Sequence, residues 1–194
     1  AAADYDAVIQ SGQVDAENFA KKGIAEYNAQ RTDDAIKSME SAVQRGSKNE
    51  MLKYFLGEAY FSKEDYKKAA TYYEQAQRAN VEEKSIPVKL GRSYYLSKNY
   101  SAAETTLSDA INKGANDNEI YLYRGISRYE LKNEEGALAD LKLAVDKGAK
   151  DYDGFYYYGN LQFKKEEYHL AVSAYDNALA MKNDDPIIYN NRGK

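Results

Sequence analysis

Small and hydrophobic residues recur along this chain with a period of 34 residues, separated by recurring polar residues. One column of the period is glycine, at Gly23, Gly57, Gly91, Gly125, Gly159 and Gly193. Two further columns, 12 and 19 residues after each of the first five glycines, are alanine: Ala35, Ala69, Ala103, Ala137 and Ala171, then Ala42, Ala76, Ala110, Ala144 and Ala178. Columns that stay in step over so many copies indicate an array of one repeated unit.

Each repeat is predicted to contain two helices. A period of this length accommodates two helices of about 14 residues with short turns. Polar residues that cap helices recur before the expected helix starts, as at Asp15 and Asn133. Residues that tolerate a left-handed backbone recur after the expected ends, as at Gly46 and Gly114. A glycine in the first helix and alanines in the second let the two backbones approach closely.

The same register divides the chain into repeats. Complete repeats are predicted at residues 16–49, 50–83, 84–117, 118–151 and 152–185. Residues 1–11 match the second helix of a partial repeat before them, and residues 186–194 match the first helix of a partial repeat after them. We therefore predict a single elongated domain over residues 1–194. Because Pro87 lies inside a predicted first helix, that helix is expected to begin near Ser85.

Individual positions within the repeat follow a recognisable residue pattern. It is fullest at Leu56-Gly57, Tyr60, Ala69 and Tyr73, and nearly repeated at Leu90-Gly91, Tyr94, Ala103 and Leu107. This pattern and its period resemble the tetratricopeptide repeat family, although the family's Trp and closing Pro are missing from every repeat. The resemblance implies an all-α, right-handed superhelical solenoid of antiparallel helix pairs, and a concave groove where peptides bind.

The resemblance also implies which residues line that groove. With each repeat numbered from 1, positions 2, 5, 9 and 13 of the first helix face the groove and positions 6 and 12 flank it. Apolar residues on an exposed concave surface usually mark a contact site. We expect the binding centre in the second to fourth repeats. The predicted partner-binding residues are Tyr54, Phe55, Glu58, Phe61, Val88, Arg92, Tyr95, Leu96, Leu122, Ile126, Tyr129, Tyr156, Asn160 and Phe163.

Some of these residues have a second interpretation. The aromatic residues at position 12, such as Tyr95 and Tyr129, lie about 40° from the glycine on the helical wheel and are also explained by half-buried packing. Position 5 is therefore expected to be the better exposed. Glu58 and Arg92, at position 9 of adjacent repeats, are expected either to pair with each other or to bind polar groups of the ligand.

A carboxylate clamp is a further alternative that the resemblance raises. Some family members grip the C-terminal carboxylate of a peptide with Lys and Asn at positions 5 and 9 of one repeat and Asn at position 6 of the next. Asn160 and Asn191 occupy two of these positions in this chain. Tyr156 stands in place of the lysine, so the clamp is incomplete.

Composition and charge narrow the class of partner. The net charge is −4, and acidic and basic residues balance along the predicted groove, so neither nucleic acid nor an anionic membrane is a predicted partner. The apolar runs are shorter than a membrane span, which argues against membrane insertion. Cysteine is absent, which excludes disulfides and thiolate metal sites. Tyrosine is unusually common, with 20 Tyr against 5 Phe.

Catalytic chemistry is not predicted. The one histidine of the sequence, His169, falls on the expected outer face of a second helix. Acidic pairs such as Glu134-Glu135 open second helices, where negative charge suits the helix dipole. The sequence contains no Gly-rich phosphate loop, catalytic triad or metal-spaced cluster, so we expect no cofactor and no metal.

These features favour a non-enzymatic scaffold that binds a peptide or helix of a partner protein in its concave groove. The alternative is a structural module that self-associates through its incomplete terminal repeats. The predicted N-terminal helix, with Tyr5, Val8 and Ile9 on it, is too short to be stable alone in water. It must dock on the first repeat or meet another chain, so any homo-oligomer is expected to use this end.

Overall fold

The fold consists of helices wherever the chain is described. The computed structural model describes residues 2–12, 15–182 and 185–193, and these residues form twelve α-helices and no strand. The helices are α1 Ala2–Gln10, α2 Ala16–Asn28, α3 Thr32–Gln44, α4 Met51–Ser62, α5 Tyr66–Arg78, α6 Ile86–Leu96, α7 Tyr100–Asn112, α8 Asn118–Glu130, α9 Glu134–Asp146, α10 Tyr152–Lys164, α11 Tyr168–Met181 and α12 Pro186–Arg192. The all-α fold class is confirmed, with two helices in each complete repeat.

The helices form two compact units. The N-terminal unit ends at Ser97 and contains α1 to α6, and the C-terminal unit begins at Lys98 and contains α7 to α12. Within each unit, successive helices pack against each other, and the first helices of neighbouring repeats also meet, α2 with α4 and α8 with α10. The single domain over residues 1–194 stays a prediction.

The helix ends agree with the sequence patterns. Asp15 and Asn133 each accept a hydrogen bond from the backbone N–H three residues later, which caps α2 and α9. Helix α6 begins directly after Ser85, as predicted from the position of Pro87. Gly46 and Gly114 follow α3 and α7 with φ angles of 78° and 96°, a left-handed conformation that favours glycine.

The glycine column marks the closest approach of the two helices in a repeat. A Cβ atom at Gly57 would lie 2.7 Å from the ring of Tyr73 on α5, and one at Gly125 would lie 2.9 Å from Leu141 on α9. Both alanine columns are buried as well, and no alanine in them is more than 3% exposed. The small residues therefore lie at the helix contact that the sequence predicts.

Tyrosine hydroxyls link consecutive repeats in the N-terminal unit. Tyr60 on α4 donates to Glu40 on α3, and Tyr94 on α6 donates to Glu74 on α5. Burial and the bond to Glu40 raise the pKa of Tyr60, so its hydroxyl keeps the proton that it donates. A phenylalanine would fill the same space but would lack the hydroxyl that donates to the partly buried carboxylate. This explains a preference for Tyr over Phe at these positions.

In the C-terminal unit, an ionic network links consecutive helices. Arg124 and Arg128 of α8 stand in columns that are leucine and tyrosine in the second and third repeats. Both contact the buried Asp140 of α9, at N–O distances of 2.7 and 2.9 Å. Arg128 also contacts Glu104 of α7 at 2.9 Å. The network therefore ties three consecutive helices together.

Helix α1 docks on the first repeat. It packs against α2, and the Asp6 carboxylate lies 2.5 Å from the ammonium of Lys22. Tyr5, Val8 and Ile9 are half-buried. The short helix thus finds within its own chain the packing partner that it needs, and a dimer through this end stays a prediction.

Candidate functional site

Aromatic rings gather on the first helices of the N-terminal unit. The ring centroid of Phe55 lies 5.7 Å from that of Tyr27 on α2 and 5.6 Å from that of Tyr54, at interplanar angles of 59° and 67°. All three side chains are half-buried, so part of each ring faces solvent. Together with three polar neighbours they form what we call the N-terminal cluster: Tyr27, Tyr54, Phe55, Glu58, Tyr73 and Lys89.

Glu58 is the polar centre of the N-terminal cluster. Tyr73 donates its hydroxyl proton to one carboxylate oxygen, and the Lys89 ammonium donates to the other at 2.6 Å. Lys89 also donates to the Tyr54 hydroxyl at 3.2 Å. Burial and the bond to Glu58 raise the pKa of Tyr73. Burial lowers the pKa of Lys89, but its bonds to Glu58 and Tyr54 raise it overall, so the lysine stays charged and forms an ion pair with Glu58.

The other predicted residues of this unit lie beside the cluster. The guanidinium carbon of Arg92 is 5.1 Å from the ring centroid of Phe61, which is a cation–π distance. Phe61 also meets Tyr66 edge to face at 5.2 Å. Half-buried side chains complete the set at Val88, Tyr95 and Leu96.

A matching group of side chains occurs in the C-terminal unit. The ring centroid of Tyr157 on α10 lies 4.5 Å from that of Tyr129 on α8 and 5.4 Å from that of Tyr156. These rings are also half-buried. We call the group the C-terminal cluster: Tyr129, Tyr156, Tyr157, Asn160, Tyr175 and Asn191.

Asn160 is the polar centre of the C-terminal cluster. Its Oδ1 accepts from the Tyr175 hydroxyl at 2.8 Å and from the Asn191 amide at 3.3 Å. Burial and the nearby Tyr156 raise the pKa of Tyr175 to about 12. The two asparagines of the incomplete carboxylate clamp are thus bonded to each other. Phe163 lies at the end of α10 and meets Tyr168 edge to face at 5.5 Å.

Two predicted site residues prove to be core residues. Leu122 is 5% exposed and Ile126 is 1% exposed, so the expectation of an exposed contact surface at these positions is wrong. The cause lies in the next repeat, where Gly154 on α10 has no side chain and the Leu122 side chain occupies the space that a Cβ there would fill. The fourth repeat therefore buries its leucine at position 5.

The structure also bears on the alternative interpretations of positions 9 and 12. The five aromatic residues at position 12 are half-buried, as the packing interpretation expects: Tyr27, Phe61, Tyr95, Tyr129 and Phe163. Glu58 takes Lys89 as its ionic partner, and Arg92 lies over Phe61. Of the two alternatives for these residues, the pairing of Glu58 with Arg92 is therefore replaced by a pairing of Glu58 with Lys89, three positions before Arg92 on α6.

Several residues of the two clusters were absent from the prediction. Tyr73 and Tyr175 belong to second helices, and the other missing residues hold flanking positions of first helices: Tyr27, Lys89 and Tyr157. Asn191 was named only as part of the incomplete clamp. A comparison of residues three repeats apart would have aligned Tyr73 with Tyr175, each of which has a polar residue 15 positions earlier, Glu58 or Asn160.

Features of other functional classes are weak in the described part of the chain. His169 is exposed, as expected of an outer-face residue, and its Nδ1 is 3.9 Å from Glu167. Among the described residues, no group of three or more His, Cys, Asp or Glu could hold a metal ion. None of the described helices combines the length and apolar character needed to cross a membrane.

Comparisons with known proteins agree with the repeat pattern. The family model for the tetratricopeptide repeat matches residues 20–81 and 88–152. No curated protein matches the sequence. Solved structures with a similar fold include YrrB, described as a TPR protein with an unusual peptide-binding site, at 22% identity, full coverage of both chains and a TM-score of 0.76.

Two further solved structures support the same fold. MamA from Desulfovibrio magneticus RS-1 is 14% identical, with 88% of this chain and 97% of that chain covered and a TM-score of 0.71. TTC0263, a thermophilic TPR protein of Thermus thermophilus, is 17% identical, with 92% and 97% covered and a TM-score of 0.56. At these identities the likeness concerns the fold alone.

Proposed function

Because the chain belongs to the tetratricopeptide repeat family, we propose that it is a non-enzymatic scaffold that binds a peptide or helix of a partner protein on the surface of its first helices. The family and its fold support a role in protein–protein interaction. The description of the similar protein YrrB as having a peptide-binding site supports the narrower proposal of peptide recognition.

The N-terminal cluster is the observation that carries this proposal. Half-buried rings at Tyr27, Tyr54 and Phe55 offer apolar surface that is still open to solvent. The adjacent Glu58–Lys89 pair is internally neutral and holds the Tyr54 hydroxyl in place. Rigid aromatic side chains with fixed hydroxyl groups give contact area at low entropic cost and dominate many protein interfaces.

The proposed contact surface keeps most of the residues that the sequence predicts. In the N-terminal unit these are Tyr54, Phe55, Glu58, Phe61, Val88, Arg92, Tyr95 and Leu96. In the C-terminal unit they are Tyr129, Tyr156, Asn160 and Phe163. Leu122 and Ile126 are left out because the core already uses them.

A peptide selected from a random phage-displayed library against the full chain provides a probe for this proposal. We expect Tyr54→Ala to weaken its binding in calorimetry by at least about tenfold, since a central aromatic anchor is often worth about 2 kcal/mol or more. Tyr54→Phe keeps the ring and should retain most of the affinity. Circular dichroism melts of each variant separate lost contact from lost folding.

Val43→Ala is the matched control. Val43 is an exposed apolar residue on the second helix α3, away from the first-helix surface. We expect the affinity for the selected peptide to be unchanged in this variant. If Val43→Ala abolished binding while a folded Tyr54→Ala variant kept it, the partner would bind the second helices and the proposal would be wrong.

A further inference from the structure

The two clusters are built from the same columns of the repeat. Tyr27 and Tyr129, Tyr54 and Tyr156, Phe55 and Tyr157, Glu58 and Asn160, Tyr73 and Tyr175, and Lys89 and Asn191 are each 102 residues apart. That separation is three 34-residue repeats. The two compact units correspond in the same way. Helices α7 to α12 of the C-terminal unit follow one another in the same order as helices α1 to α6 of the N-terminal unit.

The equivalence extends to the contacts. In each unit, a tyrosine of the second helix packs against the glycine column and donates its hydroxyl to position 9 of the first helix, as Tyr73 does to Glu58 and Tyr175 to Asn160. In each, position 6 of the next repeat bonds to the same side chain, from Lys89 at 2.6 Å and from Asn191 at 3.3 Å. In each, the aromatic residue at position 6 meets the position 12 tyrosine of the repeat before.

The polar pair has changed in a way that preserves its net charge. Glu58 and Lys89 compensate each other, and their counterparts Asn160 and Asn191 are both neutral amides. Neither centre therefore presents a net charge to a ligand. What the two clusters share is half-buried aromatic surface beside fixed tyrosine hydroxyl groups and a polar pair without net charge, which suits an apolar side chain flanked by peptide bonds.

We infer that each chain contains two equivalent peptide-binding sites, one at the N-terminal cluster and one at the C-terminal cluster, and that each takes an extended peptide segment anchored by an aromatic or branched aliphatic side chain. The inference rests on the proposed function and deepens it. A partner that carries two such segments, joined by a linker long enough to span the two sites, would bind with a higher overall affinity without any new kind of contact.

N-acetyl-phenylalaninamide is a suitable probe, because it is an aromatic side chain between two peptide groups and carries no charge that could favour one polar pair. We would titrate it into the full chain with isotope-labelled tyrosine and follow the ring signals by NMR. We expect saturable shifts of Tyr27 and Tyr54 in one unit and of Tyr129 and Tyr156 in the other. N-acetyl-alaninamide, which lacks the ring, should produce neither.

Substitutions show whether the two responses are independent. Tyr54→Ala should remove the N-terminal response and leave the Kd at the C-terminal cluster within about twofold, as for sites without shared contacts. Tyr156→Ala should do the reverse. Val43→Ala and Leu143→Ala, at exposed residues of α3 and α9, should leave both responses in place. If an alanine variant fails to fold, Tyr54→Phe or Tyr156→Phe is tested in its place. Each phenylalanine keeps the ring, so the response of that cluster should persist.

Two outcomes would overturn the inference. If only one cluster responds, or if one substitution removes both responses, the chain does not have two equivalent sites. The phage-selected peptide separates these failures from a failure of the proposed function. If that peptide still depends on Tyr54, the scaffold function stands and only the duplication is wrong.

Discussion

Close helix contact in the first, second, fourth and fifth repeats depends on single residues of the glycine column. Gly125 is buried on α8, and its missing side chain lets Leu141 of α9 approach the backbone. In the second and fifth repeats the approaching residue is a tyrosine, Tyr73 or Tyr175. The glycine column therefore allows close core packing. In the second and fifth repeats it also lets a tyrosine hydroxyl reach the polar centre of a cluster.

Gly125→Leu should separate α8 from α9 and destabilise the protein. The added Cβ would lie 2.9 Å from Leu141 and 3.1 Å from Asp140, both buried, so neither can move away freely. We expect a loss of roughly 2–4 kcal/mol in the free energy of unfolding, by analogy with overpacked cores. Urea unfolding followed by circular dichroism measures it.

Ala139→Leu is the control for that substitution. It adds the same side chain at an exposed position of the neighbouring helix α9. Its effect should stay within about 0.5 kcal/mol, as for an ordinary surface change. Equal effects of the two leucines would mean that Gly125 does not lie at a helix contact.

Some residue-scale features could not be foreseen from residue types. Left-handed backbone also occurs in the turn inside each repeat, where no glycine signals it: Gln30, Glu64, Lys98, Lys132 and Glu166. These residues are 34 positions apart, so the geometry of the repeat imposes the conformation regardless of side chain. Local propensity predicts such a conformation only where glycine or asparagine is present.

At the scale of helices, the repeats use different chemistry for equivalent junctions. Tyrosine–glutamate hydrogen bonds join α3 to α4 and α5 to α6. Asp140 instead joins α8 to α9 and, through Arg128 and Glu104, to α7. A buried ion pair contributes little net stability compared with apolar packing, but it becomes costly when one partner is removed.

Asp140→Ala should therefore be one of the most damaging single changes in the C-terminal unit. It leaves the guanidinium groups of Arg124 and Arg128 largely buried without their central carboxylate. We expect the free energy of unfolding to fall by roughly 3–5 kcal/mol, the cost typical of breaking a buried pair. Chemical denaturation with parallel probes of helix content and tyrosine fluorescence would measure the loss.

Asp146→Ala provides the comparison on the same helix. Asp146 pairs with Lys142 at 2.9 Å, but both side chains are exposed. Its removal should cost no more than about 0.5 kcal/mol. A similar small cost for Asp140→Ala would show that the network is dispensable.

At the scale of the whole molecule, periodicity predicted far more than residue type did. The 34-residue register was enough to place the helices, because the same alanine columns are buried in all five complete repeats. The candidate surface was predicted only in part. Leu122 was assigned to it from its column, but its burial depends on Gly154, a residue of another repeat, and a single-repeat helical wheel carries no such information.

The polar centres show the same limit. Glu58 was recognised, while its bonds to Tyr73 and Lys89 depend on how a second helix and the next repeat pack around it. Such contacts lie 15 and 31 residues apart in sequence. They become predictable only when columns are compared across repeats.

We propose that a partner peptide binds the first-helix surface. The most direct test of this claim is to attach a nitroxide spin label to the selected peptide and measure the broadening of backbone amide NMR signals of the full chain. The strongest broadening should occur at Tyr54 and Phe55 on α4, and, if both sites fill, at Tyr156 and Tyr157 on α10. Broadening that is strongest instead around exposed second-helix residues, such as Val43 on α3, would contradict the claim.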